Sequence, residues 1–306
     1  MSRRISIVSP MFNEALCIEA FVTEVTKVME RENYDYEIVL VDDGSKDNTF
    51  EVARELARKD KRIRIIKFSR NFGHQMALFA GLKYASGDYI VMMDSDLQHP
   101  PELIHTLIKK AEEGYDIVHT IRESTKNENA VRAMASTWFY YLINKLSYTP
   151  IIPGAADFRL VSKKANNVFV SLSEFDRFNR GLFSWIGFKS AVIEYKAHER
   201  FAGRSNYTLR RLLSLTLSSI TSFSGKPLRV SLYLGMCTLA VLGVYLLFVC
   251  YNFFFNASVR GWSSLFFTIT MLGSVQLISI GVLGEYIFRI YNEVKNRPHF
   301  IVDEEI

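Results

Sequence analysis

Residues 231–259 contain no Asp, Glu, Lys, Arg or His, and after the lone Arg260 a second charge-free stretch covers residues 261–284. A helix needs about 20 predominantly apolar residues to cross the hydrocarbon core of a bilayer, so either stretch is long enough to span. A single run of this kind is often the core helix of a soluble protein. Two in succession, with nothing comparable ahead of Arg229, point instead to a membrane-embedded end, and both lie too far from the N-terminus to be a signal peptide. The averages conceal this. In a chain of 306 residues, 49% apolar and 23% charged is the composition of an ordinary globular domain. It excludes a disordered chain and a disulfide scaffold. Only a mean hydropathy of +0.07 and 23 phenylalanines suggest more.

Basic residues set the expected orientation. Arg204, Arg210, Arg211, Lys226 and Arg229 precede the first run, Arg289, Lys295 and Arg297 follow the second, and the connection carries only Arg260. Positive charge stays on the cytoplasmic side. The expected organisation is a cytoplasmic domain over 1–205, an amphipathic juxtamembrane helix over 206–228, membrane helices over 229–255 and 263–288, and a cytoplasmic tail over 289–306. Leu209, Leu212, Leu213 and Leu217 give the juxtamembrane segment its apolar spacing beside basic residues. Trp138, Phe139, Tyr140 and Tyr141, on an expected helix over 131–146, suit the interfacial belt. Cys237 and Cys250 share one expected helix about 20 Å apart and cannot pair.

The first part of the chain alternates apolar runs with helical patterns. Residues 5–12, 37–41, 64–68, 89–93 and 117–120 read as strands; 14–32, 47–58, 75–85 and 101–113 read as helices, the second capped by Asp47 or Ser45 and the fourth opened by Pro101. Near-continuous apolar strands separated by helices predict an α/β fold, a Rossmann-like, mostly parallel sheet with helices on both faces. Ligands in such folds bind beyond the carboxyl ends of the strands. That rule selects Asn13–Glu14, Asp42–Asp43 and Asp94–Ser95–Asp96, each directly after an apolar run. Three acidic clusters on one rim are costly unless something cationic lies between them. Asp94, Asp96 and Gln98 offer hard oxygen ligands at a spacing that suits Mg²⁺ or Mn²⁺ shared with a diphosphate. His99 is open to two readings, a ligand or a hydrogen-bonding loop residue.

The segments PMFNE, VDDGSKDNT, NFGHQMALFAGL and MDSDLQHPPEL together resemble the family-2 glycosyltransferases of GT-A fold. The branch they resemble loads sugars onto polyprenyl phosphates; it includes dolichyl-phosphate mannose synthase and the bacterial and phage bactoprenol (undecaprenyl-phosphate) glucosyltransferases. The resemblance covers the whole chain. It implies that Pro10, Asn13, Glu14, Asp42, Asp43 and Asp94 hold the nucleotide sugar, and that Asp94, Asp96 and Gln98 gather the metal, with Asp96 also catalytic. Arg122, Arg132, Ser136 and Arg204 resemble the acceptor-phosphate site. Asp157, in PGAADFRLVSKKA, matches a catalytic aspartate described as base or orienting group. Because a phosphate monoester has a second pKa of about 6, the orienting role comes first. Ala156 stands where the family often has glycine, and Asn206 replaces a usual lysine in the stretch before the membrane.

The implied reaction is inverting transfer of a hexose from a UDP-sugar to undecaprenyl phosphate, giving a β-linked product for O-antigen or cell-surface glycan modification. UDP-glucose is the expected donor, with mannose, N-acetylglucosamine or an aminoarabinose derivative as alternatives. A homo-oligomer, a tetramer by resemblance, and no nucleic-acid partner are expected. A processive synthase would need more membrane helices and a Q-x-x-R-W motif, which the chain lacks. A non-catalytic membrane binding protein or transporter component would leave the acidic rim without a purpose.

Overall fold

Apolar runs bounded by turn residues become strands of a single sheet, whose order is β7-β5-β6-β4-β1-β2-β3-β8. The computed structural model describes residues 3–123, 152–175, 177–196, 226–255 and 262–306. The strands are β1 (Arg4–Met11), β2 (Asp35–Asp42), β3 (Ile63–Phe68), β4 (Tyr89–Met92), β5 (Ile117–Arg122), β6 (Ala155–Ser162), β7 (Ser190–Tyr195) and β8 (Val302–Glu305). β1 runs parallel to β2 and β4, β2 to β3, and β5 to β7. β6 is antiparallel to both β4 and β5, and β8 to β3. The mostly parallel sheet is therefore as expected, with antiparallel insertions the sequence reading did not foresee.

Four helices follow the first four strands: α1 (Ile18–Arg31), α2 (Thr49–Lys59), α3 (His74–Tyr84) and α4 (Leu103–Glu112); α5 (Lys163–Ser171) and α6 (Asn179–Trp185) come later. α2 starts at Thr49, not Asp47. Asn48 occupies the cap position without a side-chain bond, while Asp47 accepts from the Thr49 N–H at 3.0 Å. The core packs the apolar faces of α1, α2 and α4 onto the strands, with Phe21, Val25, Phe50, Ala53, Ile104 and Leu107 among its members. α3 lies so close to the sheet that a Cβ on Gly81 would stand 2.2 Å from Val8 Cγ1. Register aligns Met11 with Asp42 and Val8 with Met92. The loops after β1, β2 and β4 thus emerge on one rim.

The chain divides into two compact units. One comprises Met1–Lys145, Thr149–Thr216 and Pro298–Ile306, and the other Leu146–Tyr148 and Leu217–Arg297. The first contains the sheet. Its last strand, β8, has three acidic residues in four, which reads as a solvated tail. It pairs because cations wait for it: Arg54 Nη2 donates to both Glu304 carboxylate oxygens, at 2.8 and 2.9 Å, Arg64 meets Glu305 at 2.9 Å and Lys67 meets Asp303 at 3.2 Å. Phe300 stacks on Phe68 with ring centroids 5.0 Å apart. Exposed ion pairs contribute little. Deleting 298–306 is nevertheless expected to destabilise the sheet-bearing unit by about 2–4 kcal/mol, from the half-buried Phe300 and the edge hydrogen bonds. Thermal melting of the purified protein in detergent checks this, with Phe300→Ala expected to account for about 1 kcal/mol of it.

In the second unit, α7 (Lys226–Phe255) and α8 (Trp262–Val294) contact each other. Their apolar side chains face outward: Leu239, Leu247 and Leu277 are each about 70% exposed. Among the described residues one stretch, Thr268–Val294, is long and apolar enough to cross a membrane, with mean hydropathy 1.5. Val230–Tyr245 is apolar but shorter. The expected hairpin of two spans is thus met by a single qualifying span. α8 continues past the charge-free run to Val294, and there Glu285 and Arg289, one turn apart, pair at 3.1 Å. The expected helix over 131–146 and the loop at 124–129 lie outside the described residues, as does the expected juxtamembrane helix over 206–228 except for its last three residues, which belong to α7.

Candidate active site

The rim loops are stitched to one another before any ligand arrives. After β1, Asn13 adopts a left-handed φ of 56°. Its N–H donates to Ser45 Oγ at 3.0 Å, its Oδ1 accepts from the Lys46 N–H at 2.9 Å, and the Glu14 N–H donates to Thr49 Oγ1 at 2.8 Å. Asp43 accepts from the N–H groups of Phe72, at 2.7 Å, and Gly73, at 3.0 Å. Gly44 must be glycine: its φ is 71°, and a Cβ would stand 2.6 Å from the Arg70 carbonyl carbon. The loops after β1, β2 and β3 thereby form one unit.

Asp42 is fully buried; its Oδ1 accepts from the Ser45 hydroxyl and N–H, while its Oδ2 has no hydrogen-bond partner among the described residues. Burial raises the pKa of both Asp42 and Asp43 despite their hydrogen bonds.

After β4, Ser95 Oγ donates to the Pro10 carbonyl at 3.1 Å and the Asp94 N–H to His99 Nδ1 at 3.0 Å. His99 stacks on Phe158 with centroids 4.9 Å apart. Of the two readings open for His99, the structure supports the hydrogen-bonding loop residue. Leu97 is held at φ 60°, which turns the chain so that the Gln98 N–H reaches Asp96 Oδ1 at 3.1 Å; such a conformation costs on the order of 1 kcal/mol. Asp96 is buried, and Asp94 is partly exposed with its Oδ1 lacking a hydrogen-bond partner among the described residues.

Asp157, on β6, lies beneath this loop in a nest of cations. Arg180, at the start of α6, donates through Nε to Oδ1 and through Nη2 to Oδ2, both at 3.0 Å. His74 Nε2 lies 3.7 Å from Asp157 Oδ2 and 3.5 Å from Asp94 Oδ1, and Arg159 Nη2 lies 3.6 Å from Asp157 Oδ1. Burial opposes the Asp157 charge, but Arg180, His74 and Arg159 outweigh it and hold the carboxyl well below its ordinary range. Burial likewise pulls His74 down, yet Asp157 and Asp94 lift it to about 9, so the imidazole is protonated at neutral pH. Tyr195, at the end of β7, is pushed up to about 12 by burial and by Asp94 and Asp96, against Arg122 and Arg180.

The structure therefore brings together Pro10, Asn13, Glu14, Asp42, Asp43, Asp94, Asp96 and Gln98 at the strand ends and loops of one rim, with Asp157 linked to Asp94 through His74. Arg122 ends β5, exposed, on the same side of the sheet. Arg132, Ser136 and Arg204 lie outside the described residues. His74, Gln75, Arg180 and Tyr195 were not singled out from the sequence. The first two sit in the NFGHQ segment, which was noticed for its resemblance alone, and nothing local marks the others. Among the described residues no group of three or more His, Cys, Asp or Glu is arranged to hold a metal.

A mostly parallel sheet whose carboxyl rim presents aspartate pairs after β2 and β4 has the GT-A fold. A crystal structure of mannosyl-3-phosphoglycerate synthase from Rubrobacter xylanophilus shares the fold, with a TM-score of 0.52 at 18% identity over 71% of this chain and 72% of that one. The glycosyl transferase family 2 model matches residues 6–169. The bactoprenol glucosyl transferase of Shigella phage SfII is 42% identical over 98% of this chain and 97% of its own length. The glycosyltransferase YkcC of Bacillus subtilis (strain 168) is 41% identical over 99% and 95%. The chain belongs to glycosyl transferase family 2.

Proposed function

We propose that the protein transfers glucose from UDP-glucose to undecaprenyl phosphate at the cytoplasmic face of the membrane, with inversion at C1. The observation that carries the nucleotide-sugar reading is the stitched rim that sets the Asp42–Asp43 and Asp94–Asp96 carboxylates side by side, with Asp42 Oδ2 buried and without a hydrogen-bond partner among the described residues. An unsatisfied buried acceptor costs about 1–3 kcal/mol, so the Asp42 oxygen is placed to gain a donor when the ligand binds. Asp42, Asp43, Asn13, Glu14 and Pro10 take the nucleoside end. Asp94 and Asp96, with Gln98, would hold a Mg²⁺ or Mn²⁺ ion; two carboxylates plus substrate phosphates suffice for such an ion. When bound, the ion offsets the charge that develops on the diphosphate leaving group.

The lipid acceptor is supported by the bactoprenol relative and by the outward-facing apolar helices. Arg122 serves the acceptor phosphate, joined by Arg132, Ser136 and Arg204, and the chain assembles as a homo-oligomer, a tetramer by resemblance. The chain leaves the sheet-bearing unit ahead of Leu217 and returns to it at Pro298, and β8 is hydrogen-bonded to β3. This return supports reading both ends of the intervening segment on one side of the membrane, which needs an even number of crossings. If Thr268–Val294 spans, α7 supplies the second crossing.

The donor is tested with a panel of UDP-sugars and undecaprenyl phosphate. UDP-glucose is expected to give at least about tenfold higher kcat/KM than UDP-galactose or UDP-N-acetylglucosamine, the order of discrimination a shaped pocket provides. A faster rate with another member would reassign the sugar.

A further inference from the structure

The N-termini of α3 and α6 are knitted together around Asp157. The Gln75 carbonyl accepts from Asn179 Nδ2 at 3.0 Å, Gln75 Oε1 accepts from the Asn179 N–H at 3.3 Å, and Gln75 Nε2 donates to Asp157 Oδ2 at 3.4 Å. The next residue of α6 is Arg180, whose side-on fork occupies both Asp157 oxygens. Arg180 keeps 32% of its side chain exposed while Asp157 keeps 10%, so a partly exposed guanidinium reaches a buried carboxylate. His74 ties the same carboxylate to Asp94.

We propose that Arg180 is a positioning residue for the transfer step: its fork fixes Asp157 as an orienting group beside Asp94 and withholds that carboxylate from proton abstraction. The proposal rests on the transferase reading above. A carboxylate with both oxygens forked by a guanidinium has a fixed plane and little capacity to take up a proton. The reaction needs none. The acceptor phosphate, with a second pKa of about 6, is dianionic at the working pH. One of its oxygens forms the bond to C1, the C1–O bond to the diphosphate breaks, and the electron pair leaves with UDP. The charge of the monoester and the UDP-sugar ends on the phosphodiester and UDP, and no proton is released. What the site must supply is alignment, and misplacement by about 1 Å costs on the order of 100-fold in rate.

The test compares Arg180→Lys and Arg180→Gln with the wild-type full-length protein, measuring melting temperature, UDP binding, and kcat and KM for lipid-linked product. Lysine keeps the charge but loses the planar fork. Arg180→Lys is expected to fold and bind UDP as the wild type does, with donor KM within about threefold and kcat reduced about 10- to 100-fold; Arg180→Gln is expected to lose more. A kcat within about threefold of wild type in Arg180→Lys would overturn the proposal. So would a raised donor KM at unchanged kcat, or joint loss of folding and UDP binding in both variants, which would make Arg180 a donor-binding or a purely structural residue. Absence of lipid product from the wild type would instead remove the transferase reading, so the two failures are distinct.

Discussion

Asp96→Asn is expected to reduce lipid-linked product formation by about a thousandfold or more, while the protein still inserts into membranes and melts close to the wild-type temperature. The expectation joins two facts. Asp96 is buried on the rim, where its Oδ1 accepts from the Gln98 N–H, so an amide of nearly the same shape can keep that bond and the turn at Leu97. The substitution removes a charge where the proposed ion and diphosphate meet. Stabilisation of the leaving group by a metal amounts to several kcal/mol, and each 1.36 kcal/mol is about tenfold in rate. Full activity in Asp96→Asn would remove the metal assignment.

The largest effect on stability is expected at Asp157. Arg159 has no exposed surface, and its Nε and Nη1 have no hydrogen-bond partners among the described residues. Asp157 is its counter-charge. Truncating one partner of a buried pair costs about 3–5 kcal/mol because the other charge is left uncompensated. Asp157→Ala should therefore lower the melting temperature by about 10 °C. The pH dependence follows from the shifts. The folded pKa of Asp157 is depressed, so its contribution is present above the ordinary carboxylate value of about 4 and is lost as pH falls through the folded value. The pKa of His74 is raised to about 9, so its contribution is complete below its unfolded value of about 6.5 and is lost as pH rises through 9. Because His74 is 45% exposed, solvent screening makes that alkaline loss small. Melting curves from acid to alkaline pH for wild type and Asp157→Ala check both signs. A decrease below about 2 °C at neutral pH would contradict the account of the nest.

The part of the architecture visible in the sequence is the part that local pattern controls. β1 to β5 are apolar runs bounded by turn residues, and placing Asp42–Asp43 and Asp94–Asp96 beyond their carboxyl ends needed only the rule for parallel sheets. β6 was not visible as a strand because its centre carries Asp157 and Arg159, whose pairing depends on α3 and α6. β8 was not visible because its acidic residues look solvated until Arg54, Arg64 and Lys67 stand opposite. The same reasoning explains the gaps in the site. Gln75 is 82 residues from Asp157 in sequence and Arg180 is 23 residues from it. Neither has a local signal, since each acts only after the sheet brings the helix N-termini together. Of the two charge-free runs from which the reading began, the second lies in the one stretch of the described residues long and apolar enough to cross a membrane, Thr268–Val294, while the first lies in a helix whose apolar stretch, Val230–Tyr245, is shorter.

The central claim is most directly tested by incubating the purified full-length protein with labelled UDP-glucose, undecaprenyl phosphate and Mg²⁺, and measuring label extracted into organic solvent. The account predicts label in a lipid of the mass of glucosyl undecaprenyl phosphate, abolished by chelation of the ion. Label that stays in the aqueous phase with UDP-glucose and with every other UDP-sugar of the panel would contradict it.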